Sequence, residues 1–576
     1  MSILIDKVRV KNFRSLKDVE INLHQTTILV GGNNSGKTTF LQALNIALGV
    51  NKKQLTKDDL FIDKDGNQVD NTILIDIRII PVNSSMERID DFGTQWLSVF
   101  GSDAQFEGSQ AFFALRTEIK FKNEGDRYDV TNYFITNWSN PEIQESDKLT
   151  SSIHKAILVY FLDAQRDLEQ DIKLRNSYFG KLATQLDKNY DAKSLATITK
   201  LVTELNSTAV DNSEVLSHLK EELSKLNQTT QTTGDGVSIS PFPMKIRDLH
   251  KGMKVNFQDN GSDIFSLEYH GMGTRSWASI LSFSAFIAWE SKQKITDSEA
   301  YFPVLALEEP EAHLHPNAQR TLYKQLKNIA GQKIISTHSP YVVGQAGLEE
   351  LIFFKKDQDI AKISVIEDLA LLKAHEKTSL SRFVIDMRGE ILYSRLVVLV
   401  EGETEERCLN IITNKYFNNN VSGLGINIIG CGGSNYKYFI RMLQAANIPF
   451  FVFSDYDNPA TRTKVNSQLR ACGYAPDTCN ELIDLGIDIE DYLIAEGYEA
   501  ELRQAAQEFI PVWFSRTNIR QRKNEEIATT AGLRTFFKSY KTKLAPRYGR
   551  IIAELEDGRR YPPKIKELFE RIEARL

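Results

Sequence analysis

A glycine-rich loop near the start of the chain leaves little freedom in the fold around it. The apolar run Thr27-Ile-Leu-Val30 leads directly into Gly31-Gly-Asn-Asn-Ser-Gly-Lys-Thr-Thr39, and an apolar helical pattern follows over residues 40–48. The loop matches G-x-x-x-x-G-K-[ST] in the strand–loop–helix context that the motif requires. Its glycines let backbone N–H groups curl around phosphate at the N-terminus of a helix. The sequence therefore predicts an α/β domain that binds a nucleotide.

The polar positions of this loop have predicted contacts with the nucleotide. Lys37 reaches the terminal phosphates, and the hydroxyl of Thr38 binds the magnesium ion that accompanies the phosphates. The full set of predicted loop contacts is Gly31, Asn34, Gly36, Lys37, Thr38 and Thr39. We therefore expect ATP and Mg²⁺ as ligands of the first part of the chain.

Two adjacent carboxylates follow a second apolar strand. Val304-Leu-Ala-Leu307 runs directly into Glu308 and Glu309. An ionised carboxylate at the end of a buried strand is costly unless a cation or hydrogen-bond donors compensate for it. We predict that Glu308 holds magnesium through water and that Glu309 orients the water that attacks the phosphate. For the acid pair alone, a strand that runs into a charged loop is an equal alternative.

Three further segments carry candidate contacts to the nucleotide. Gln165 follows an apolar strand, where it could sense the nucleotide's metal ion, and His338 ends another, where it could hydrogen-bond the terminal phosphate. Gly271-Met-Gly-Thr-Arg-Ser-Trp277 leads into a predicted helix, and its two glycines and a hydroxyl form a second anion site for which a second subunit would supply the phosphate. Gly273 and Arg275 are its predicted contacts. The alternatives are a solvated strand end for Gln165, a structural histidine, and a plain helix cap at the glycines.

A long polar segment with helical periodicity interrupts the α/β pattern. Its leucines recur at helix-like spacings, and they are Leu201, Leu205, Leu216, Leu219, Leu223 and Leu226. We predict a helical insertion over about residues 168–236. It forms either a dimer contact, which we favour, or a helical hairpin packed on its own domain.

Composition excludes several classes of protein. Hydrophobic residues make up 41% and charged residues 25% of the 576 residues, as in ordinary globular proteins. No apolar run reaches the roughly 18 residues of a membrane helix, and the start lacks a signal peptide. The four cysteines form no Cys-x-x-Cys pair, so neither a zinc site nor a disulfide framework is indicated. We expect a cytoplasmic protein without membrane contact. Because its net charge is −6, nucleic-acid binding would depend on local basic patches.

The second half repeats the pattern of an apolar strand followed by acids. Residues 396–400 lead into Glu401 and Glu405, and a later apolar strand leads into Asp455 and Asp457. Parallel strands gather their C-terminal ends at one edge of a sheet, so these side chains should converge. Hard oxygen ligands in that number suit magnesium or manganese. The sequence therefore predicts a divalent-metal site, with unrelated surface acids as the alternative.

Taken in order, the motifs of residues 1 to about 375 resemble an ABC-type ATPase head of the RecF, Rad50 and SMC group. Two departures are Gly271-Met-Gly-Thr-Arg275, where the family usually has Leu-Ser-Gly-Gly-Gln, and Glu308, where most relatives have aspartate. A glutamate followed by Asp-x-Asp resembles a TOPRIM domain. The two domains in this order are similar to the OLD (overcoming lysogenization defect) nuclease family, which includes the Gabija nuclease subunit and OLD-type retron effectors.

The resemblance implies both a fold and a division of the chain. The fold class is α/β, with an ABC-type (RecF/SMC-like) ATPase head over residues 1–385 that carries the helical insertion. A Rossmann-like TOPRIM nuclease domain with basic C-terminal helices follows over residues 386–576.

The resemblance also implies roles for individual residues. Glu401 and Glu405 bind one metal with Asp455, while Asp457 and Glu490 help with the second. The family carries a basic residue near the C-terminus that supports the scissile phosphate. The candidates here are Lys538, Lys541, Lys543, Arg547 and Arg550. We select Lys543, with Arg547 second, and a solvated basic helix as the alternative.

The implied function is that of an ATP-regulated, divalent-metal-dependent DNA endonuclease in bacterial anti-phage defence. The family implies a homodimer or larger homo-oligomer. A UvrD-like helicase, as in Gabija, and a retron reverse transcriptase with its DNA–RNA product are both open as partners. Two rival functions remain: a RecF-like repair ATPase whose TOPRIM part only binds, and a TOPRIM primase or topoisomerase.

Overall fold

A computed structural model describes most of the chain. The described residues are 2–49, 54–63, 65–122, 126–145, 150–164, 190–217, 240–243, 256–257, 265–266, 269–357, 360–366, 369, 372–382, 389–433, 435–455, 459–556 and 559–576. Two predicted site residues, Gln165 and Asp457, lie outside these ranges, as does much of the predicted helical insertion.

The described strands form three main sheets and one short pair. They are β1 (Ser2–Phe13), β2 (Leu16–Asn22), β3 (Thr26–Gly31), β4 (Thr72–Val82), β5 (Gln105–Glu107), β6 (Gln110–Phe121), β7 (Tyr128–Asn137), β8 (Glu142–Glu145), β9 (Ile157–Leu162), β10 (Asn256–Phe257), β11 (Phe265–Ser266), β12 (Phe302–Glu308), β13 (Gln332–Thr337), β14 (Leu351–Asp357), β15 (Ile360–Ser364), β16 (Leu396–Val400), β17 (Ile426–Gly430), β18 (Phe450–Ser454) and β19 (Leu482–Asp484).

Helices connect these strands and dominate the C-terminal part. They are α1 (Lys37–Leu48), α2 (Thr94–Phe100), α3 (Thr150–Ala156), α4 (Ala192–Asp211), α5 (Met272–Thr296), α6 (Pro316–Lys327), α7 (Pro340–Val343), α8 (Ala374–Leu380), α9 (Glu403–Tyr416), α10 (Tyr436–Ala445), α11 (Pro459–Ala471), α12 (Ile489–Ala495), α13 (Glu499–Trp513), α14 (Thr517–Glu526), α15 (Thr530–Ala553) and α16 (Pro563–Glu573). Short 3₁₀ turns include Gly389–Tyr393, directly before β16. In the described part of the chain, no helix combines the length and apolar character needed to cross a bilayer.

The first sheet is antiparallel, with the order β2-β1-β4-β6-β7-β8 and β5 paired with β6. The isoleucines of β4 alternate along the strand, and the polar face of this strand is also buried. Asp76 is 1% exposed and accepts from Arg116 at 2.7 Å, while Arg78 is 5% exposed and pairs with Asp6 at 2.6 Å. The ion pairs compensate these charges for the loss of water.

The second sheet places the nucleotide motifs at one edge. Its order is β15-β14-β3-β13-β12-β9, and all neighbours are parallel except the β14–β15 pair. Both faces are covered, which explains why the strands read as continuous apolar runs. The strands β3, β12 and β13 therefore end side by side, and they lead into the glycine-rich loop, the acid pair and His338.

The third sheet has the parallel order β17-β16-β18-β19. Helices α9, α12, α13, α15 and α16 share a buried core with it, so the C-terminal helices belong to the fold of this sheet. A separate core cluster runs from the second sheet into the third and includes Val343, Phe353, Val397 and Leu399. The predicted boundary at residue 385 lies outside the described residues.

Part of the predicted insertion is present as α4. Its buried face carries Val202, Asn206 and Val210, whereas Leu201 and Leu205 are 59% and 51% exposed. The helical periodicity was therefore read correctly, but these two leucines do not face the core of the described chain.

Candidate functional sites

The ends of the second sheet enclose a cavity of about 920 Å³. Its lining residues are Arg14, Ser15, Asn33, Asn34, Ser35, Gly36, Lys37, Thr38, Thr39, Glu309, His338 and Lys356. The predicted loop contacts Asn34, Gly36, Lys37, Thr38 and Thr39 are thus brought together with Glu309 and His338.

The backbone of the loop explains its glycines. Gly36 has φ +104°, a left-handed conformation, and a Cβ there would lie 3.0 Å from the Cβ of Ala361. A Cβ on Gly31 would lie 2.1 Å from the carbonyl oxygen of Phe354, because β3 runs directly beside β14. Neither position accepts a side chain without displacement of a neighbouring strand. The loop is therefore held open at the N-terminus of α1, where N–H groups can bind phosphate.

Lys37 is folded back onto its own loop. Its Nζ donates to the carbonyl oxygens of Gly31 and Gly32, both at 2.8 Å. Burial lowers the pKa of Lys37 to about 8, and the charges of Glu309, Glu311 and Glu308 oppose that decrease. A phosphate in the cavity would add negative charge beside this ammonium and favour its protonated form.

The acid pair at the end of β12 reaches toward the loop and the histidine. The hydroxyl of Thr38 donates to Glu308, so the two predicted magnesium-associated groups are in direct contact. Glu309 has φ +40°, an uncommon conformation for a side-chain-bearing residue. Its Oε1 lies 3.4 Å from the Nε2 of His338. Burial lowers the pKa of His338, with the charge of Lys37 as a second cause, so this imidazole is neutral at pH 7.

The glycine segment at the start of α5 does not line the cavity. A Cβ on Gly273 would lie 2.6 Å from the carbonyl oxygen of His313, so this glycine allows α5 to approach the loop after the acid pair. Gly273 thus has a packing role within this chain. The contact of Gly273 and Arg275 with a phosphate supplied by a second copy stays a prediction. Sequence reasoning missed Arg14 and Lys356, which line the cavity from a turn and from β14.

A second group of acids lies at the carboxyl ends of β16 and β18. Glu401 directly follows β16 and Asp455 directly follows β18, while Glu405 lies in the first turn of α9. The Oε2 of Glu405 accepts from the backbone N–H of Gly402 at 2.9 Å, and Oδ2 of Asp455 accepts from the N–H of Ile489 at 3.4 Å. The parallel sheet therefore brings the predicted acids to one edge.

These carboxylates interact electrostatically. Burial raises the pKa of Glu405, and the charge of Glu401 adds to the increase. Burial also raises the pKa of Glu490 to about 8, and the nearby charges of Asp488 and Glu405 act in the same direction. In both cases Lys541 opposes the increase. Buried acids that repel one another are the environment in which a divalent cation is most favourable.

The described acids include only some of the predicted metal ligands. Within the described residues, no three acidic, histidine or cysteine side chains lie close enough together to hold a metal ion. Asp457, the predicted second member of the Asp-x-Asp pair, is not among those residues. The donor chemistry fits Mg²⁺ or Mn²⁺, and the residues that would hold it are Glu401, Glu405, Asp455 and Glu490, with Asp457 as predicted.

Two acids beside Glu490 in the sequence have structural partners. Asp488 caps α12 by accepting from the N–H of Asp491 at 2.8 Å. Asp491 forms an ion pair with Arg534 at 2.7 Å. Glu490 itself accepts from the hydroxyl of Tyr548 at 3.3 Å. Of these three acids, only Glu490 is deeply buried beside the other candidate metal ligands.

The structure distinguishes Lys543 from Lys541, another of the candidate basic residues, by what each side chain contacts. Nζ of Lys543 lies 3.7 Å from the ring centroid of Trp513, and Arg547 lies over Phe509. Lys541 is instead the residue whose charge acts on Glu405 and Glu490, and it lines a cavity with Glu490. Residues two apart on a helix point about 200° away from each other, so Lys541 and Lys543 face opposite sides of α15. Lys541 is therefore the better candidate for the scissile phosphate.

A buried polar contact region joins the nucleotide cavity to the third sheet. Glu311 accepts from the hydroxyl of Thr337 at 2.6 Å and from the N–H of His338 at 2.9 Å. Its other carboxylate oxygen and the hydroxyl of Tyr393 are both buried without a hydrogen-bond partner in the described part of the chain. Burial raises the pKa of Tyr393, and the charge of Glu311 adds to that. The ring centroids of Tyr393 and His338 are 6.2 Å apart.

Comparison with protein families gives two matches. Residues 4–343, more than half of the 576 residues, match the family described as AAA ATPase domain. Residues 392–457 match the family described as overcoming lysogenization defect protein-like, TOPRIM domain. The first match covers the nucleotide cavity and the second covers β16 to the Asp-x-Asp pair.

Named relatives match over most of their length. The chain is 25% identical over 485 residues to an OLD nuclease of Thermus scotoductus, covering 79% of this chain and 82% of the relative. It is 20% identical over 473 residues to the endonuclease GajA of Bacillus cereus, covering 79% and 75%. A solved SMC head bound to the C-winged helix domain of ScpA shows 15% identity and a TM-score of 0.36 over 64% of this chain and 99% of that one.

These matches confirm the predicted resemblance and the predicted order of domains. The chain belongs to the AAA ATPase domain family and carries an OLD-like TOPRIM domain in its second half.

Proposed function

We propose that this protein is a divalent-metal-dependent DNA endonuclease whose cleavage is regulated by ATP, and that it acts in anti-phage defence. The observation that carries the proposal is the edge of the third sheet. There Glu401 and Asp455 follow parallel strands, Glu405 begins a helix beside them, and the charge of Lys541 acts on Glu405. The names of the relatives, OLD nuclease and endonuclease GajA, support the same activity.

The chain's own residues divide the work of phosphodiester hydrolysis. Two divalent ions, when bound, supply activation of water and stabilisation of the leaving oxygen. Glu401, Glu405 and Asp455 hold one ion, and Asp457 and Glu490 help to hold the other. The hydrogen bond from Gly402 fixes one oxygen of Glu405. Lys541 binds the scissile phosphate and balances the charge of the acids.

ATP binds in the cavity at the edge of the second sheet. Lys37 leaves the carbonyl oxygens of Gly31 and Gly32 to contact the terminal phosphates, and Glu309 orients water with the neutral His338 beside it. Gly273 and Arg275 of a second copy complete the site across a homodimer interface.

Regulation passes from the cavity to the acids through the contact between His338 and Tyr393. The chain after His338 packs closely against the turn before β16. A Cβ added to Gly389, in that turn, would lie 3.3 Å from the Cβ of Pro340. A shift of His338 on ATP binding therefore displaces Tyr393, three residues before β16, the strand that Glu401 directly follows. The hydroxyl of Tyr393 and the second oxygen of Glu311 are available to hydrogen-bond in the shifted arrangement.

Cleavage of supercoiled plasmid in Mg²⁺ or Mn²⁺, with and without ATP, tests the proposal. Nicked and linear products that disappear in EDTA are expected from the unmodified chain, and none from Glu401→Ala. Relaxation without nicks, or incorporation of labelled nucleotides, would instead identify a topoisomerase or a primase. ATPase activity that DNA stimulates without any cleavage would favour the repair ATPase.

A further inference from the structure

A partly exposed tryptophan lies on the side of α15 that faces away from the acids. Trp513, at the end of α13, is 48% exposed, and its neighbour Val512 is 73% exposed. One contact of the indole is with Phe509, whose ring is nearly parallel to it, with 5.3 Å between centroids and 16° between planes. Phe509 is itself 1% exposed and packs against Tyr540 at 5.5 Å. The indole is therefore held at the surface by a rigid aromatic base.

Two cations that pair with no acid of the described residues lie over the aromatic pair formed by Trp513 and Phe509. Lys543 lies over Trp513 and Arg547 over Phe509, and among the described residues neither forms an ion pair with an acid. Other basic residues of the same helices are neutralised: Arg550 pairs with Glu508 at 2.6 Å, and Arg534 with Asp491 at 2.7 Å. The positive charge beside Trp513 is therefore available to an external anion.

The combination of a flat, exposed aromatic face and unpaired cations fits one class of ligand. Proteins bind single-stranded nucleic acid by stacking its bases on aromatic rings while basic side chains contact the phosphates. Double-stranded DNA offers phosphates but keeps its bases stacked on each other. A base–aromatic stack is stronger than an exposed cation–π contact, so an incoming base can displace the ammonium of Lys543 toward a phosphate.

We infer that Trp513, with Lys543 and Arg547, forms a stacking platform for an unpaired base of the DNA substrate. The inference deepens the proposed function and rests on it for the identity of the ligand. The platform and the metal site lie on opposite sides of α15, since Lys541 faces the acids and Lys543 faces Trp513. A strand that crosses this helix contacts both, so substrates with an unpaired nucleotide beside the scissile phosphate are preferred.

The test measures binding rather than cleavage, in full-length protein that carries Glu401→Ala, with EDTA present. Fluorescence anisotropy compares three labelled DNAs of equal length: a thymidine oligonucleotide, the same backbone with abasic sites, and a blunt duplex. Trp513→Ala should weaken binding of the thymidine oligonucleotide about tenfold. Binding of the abasic strand and the duplex should change little. Trp513→Phe should retain much of the affinity.

Two matched controls isolate the platform. Phe106→Ala removes another exposed aromatic side chain, 59% exposed on β5, and should leave all three affinities unchanged. Lys543→Gln should weaken the thymidine and abasic strands alike, because it removes a phosphate contact. Thermal melting shows whether each variant is folded, and Trp513→Leu, which keeps an apolar side chain but no aromatic ring, gives the result if Trp513→Ala does not fold.

Several results would overturn the inference. They are equal losses on thymidine and abasic strands with Trp513→Ala, no loss on either, and no binding of single strands by the parent protein. A change in sedimentation of Trp513→Ala with unchanged DNA affinity would identify a self-association surface instead. The proposed function is tested separately, because binding can persist in a chain that does not cleave, and cleavage can persist without the platform.

Discussion

The two candidate sites lie at equivalent edges of two parallel sheets, yet they differ in how complete they are. In the nucleotide cavity the loop backbone is fixed by neighbouring strands, Thr38 already contacts Glu308, and Glu309 lies beside His338. At the edge of the third sheet the acids are gathered, but within the described residues no three of them form a metal cage. A backbone that binds phosphate can be formed in advance. Repelling carboxylates are instead stabilised by a bound divalent cation, which reduces their mutual repulsion.

The largest effect is expected from the removal of one acid at the edge of the third sheet, which tests whether the two sites work separately. Glu401→Gln keeps the shape of the side chain and removes its charge, so cleavage should fall to background while ATP hydrolysis continues. Parallel assays of plasmid cleavage and phosphate release measure both. Loss of both activities in a folded variant would mean that the sites are not separate.

The two lysines on opposite sides of α15 allow a test of which basic residue binds the scissile phosphate. Lys541→Ala should reduce the cleavage rate about 100-fold, since it removes a fixed positive charge beside the reacting phosphate. Lys543→Ala is the matched control and should reduce cleavage of duplex plasmid much less. Single-turnover rates at saturating protein separate the two. A larger loss with Lys543→Ala would restore the assignment made from sequence.

The contact between the sites is tested by Tyr393→Phe, which removes only the hydroxyl. Cleavage without ATP should be unchanged, because that hydroxyl has no hydrogen-bond partner in the described structure. The ratio of cleavage rates with and without ATP should move toward one by about fivefold, the equivalent of about 1 kcal/mol for one hydrogen bond. An unchanged ratio would exclude this route of regulation.

The smallest expected effect is the thermal stabilisation of the third-sheet region by a bound metal ion. With Mn²⁺ at about five times its dissociation constant, binding stabilises the third-sheet region by about 1 kcal/mol, so its melting temperature should rise by roughly 2–4 °C. The rise should be absent in Glu401→Gln. Differential scanning calorimetry without nucleotide measures it, and an equal rise in the variant would indicate metal binding elsewhere.

The sequence determined some features and left others to tertiary contacts. The glycine-rich loop, the acid pair and His338 could be predicted from the sequence, because each follows an apolar strand and the carboxyl ends of parallel strands lie at the same edge of a sheet. The sequence did not predict which face of the basic helix α15 is turned toward the acids. That orientation depends on tertiary contacts, with Trp513 on one side of the helix and Glu490 on the other. Likewise, the spacing of Leu201 and Leu205 predicted a helix but not that Val202 would face its core. Arg14 and Lys356 carry no local motif.

In the proposed function, one chain holds two active sites: ATP is hydrolysed at one, DNA is cleaved at the other, and the first regulates the second. The most direct measurement follows ATP hydrolysis and plasmid cleavage in the unmodified chain, Lys37→Ala and Glu401→Gln under identical conditions. The account predicts that Lys37→Ala loses ATP hydrolysis and still cleaves, but without a response to ATP, whereas Glu401→Gln hydrolyses ATP and does not cleave. Cleavage in Glu401→Gln, or an intact ATP response in Lys37→Ala, would contradict it.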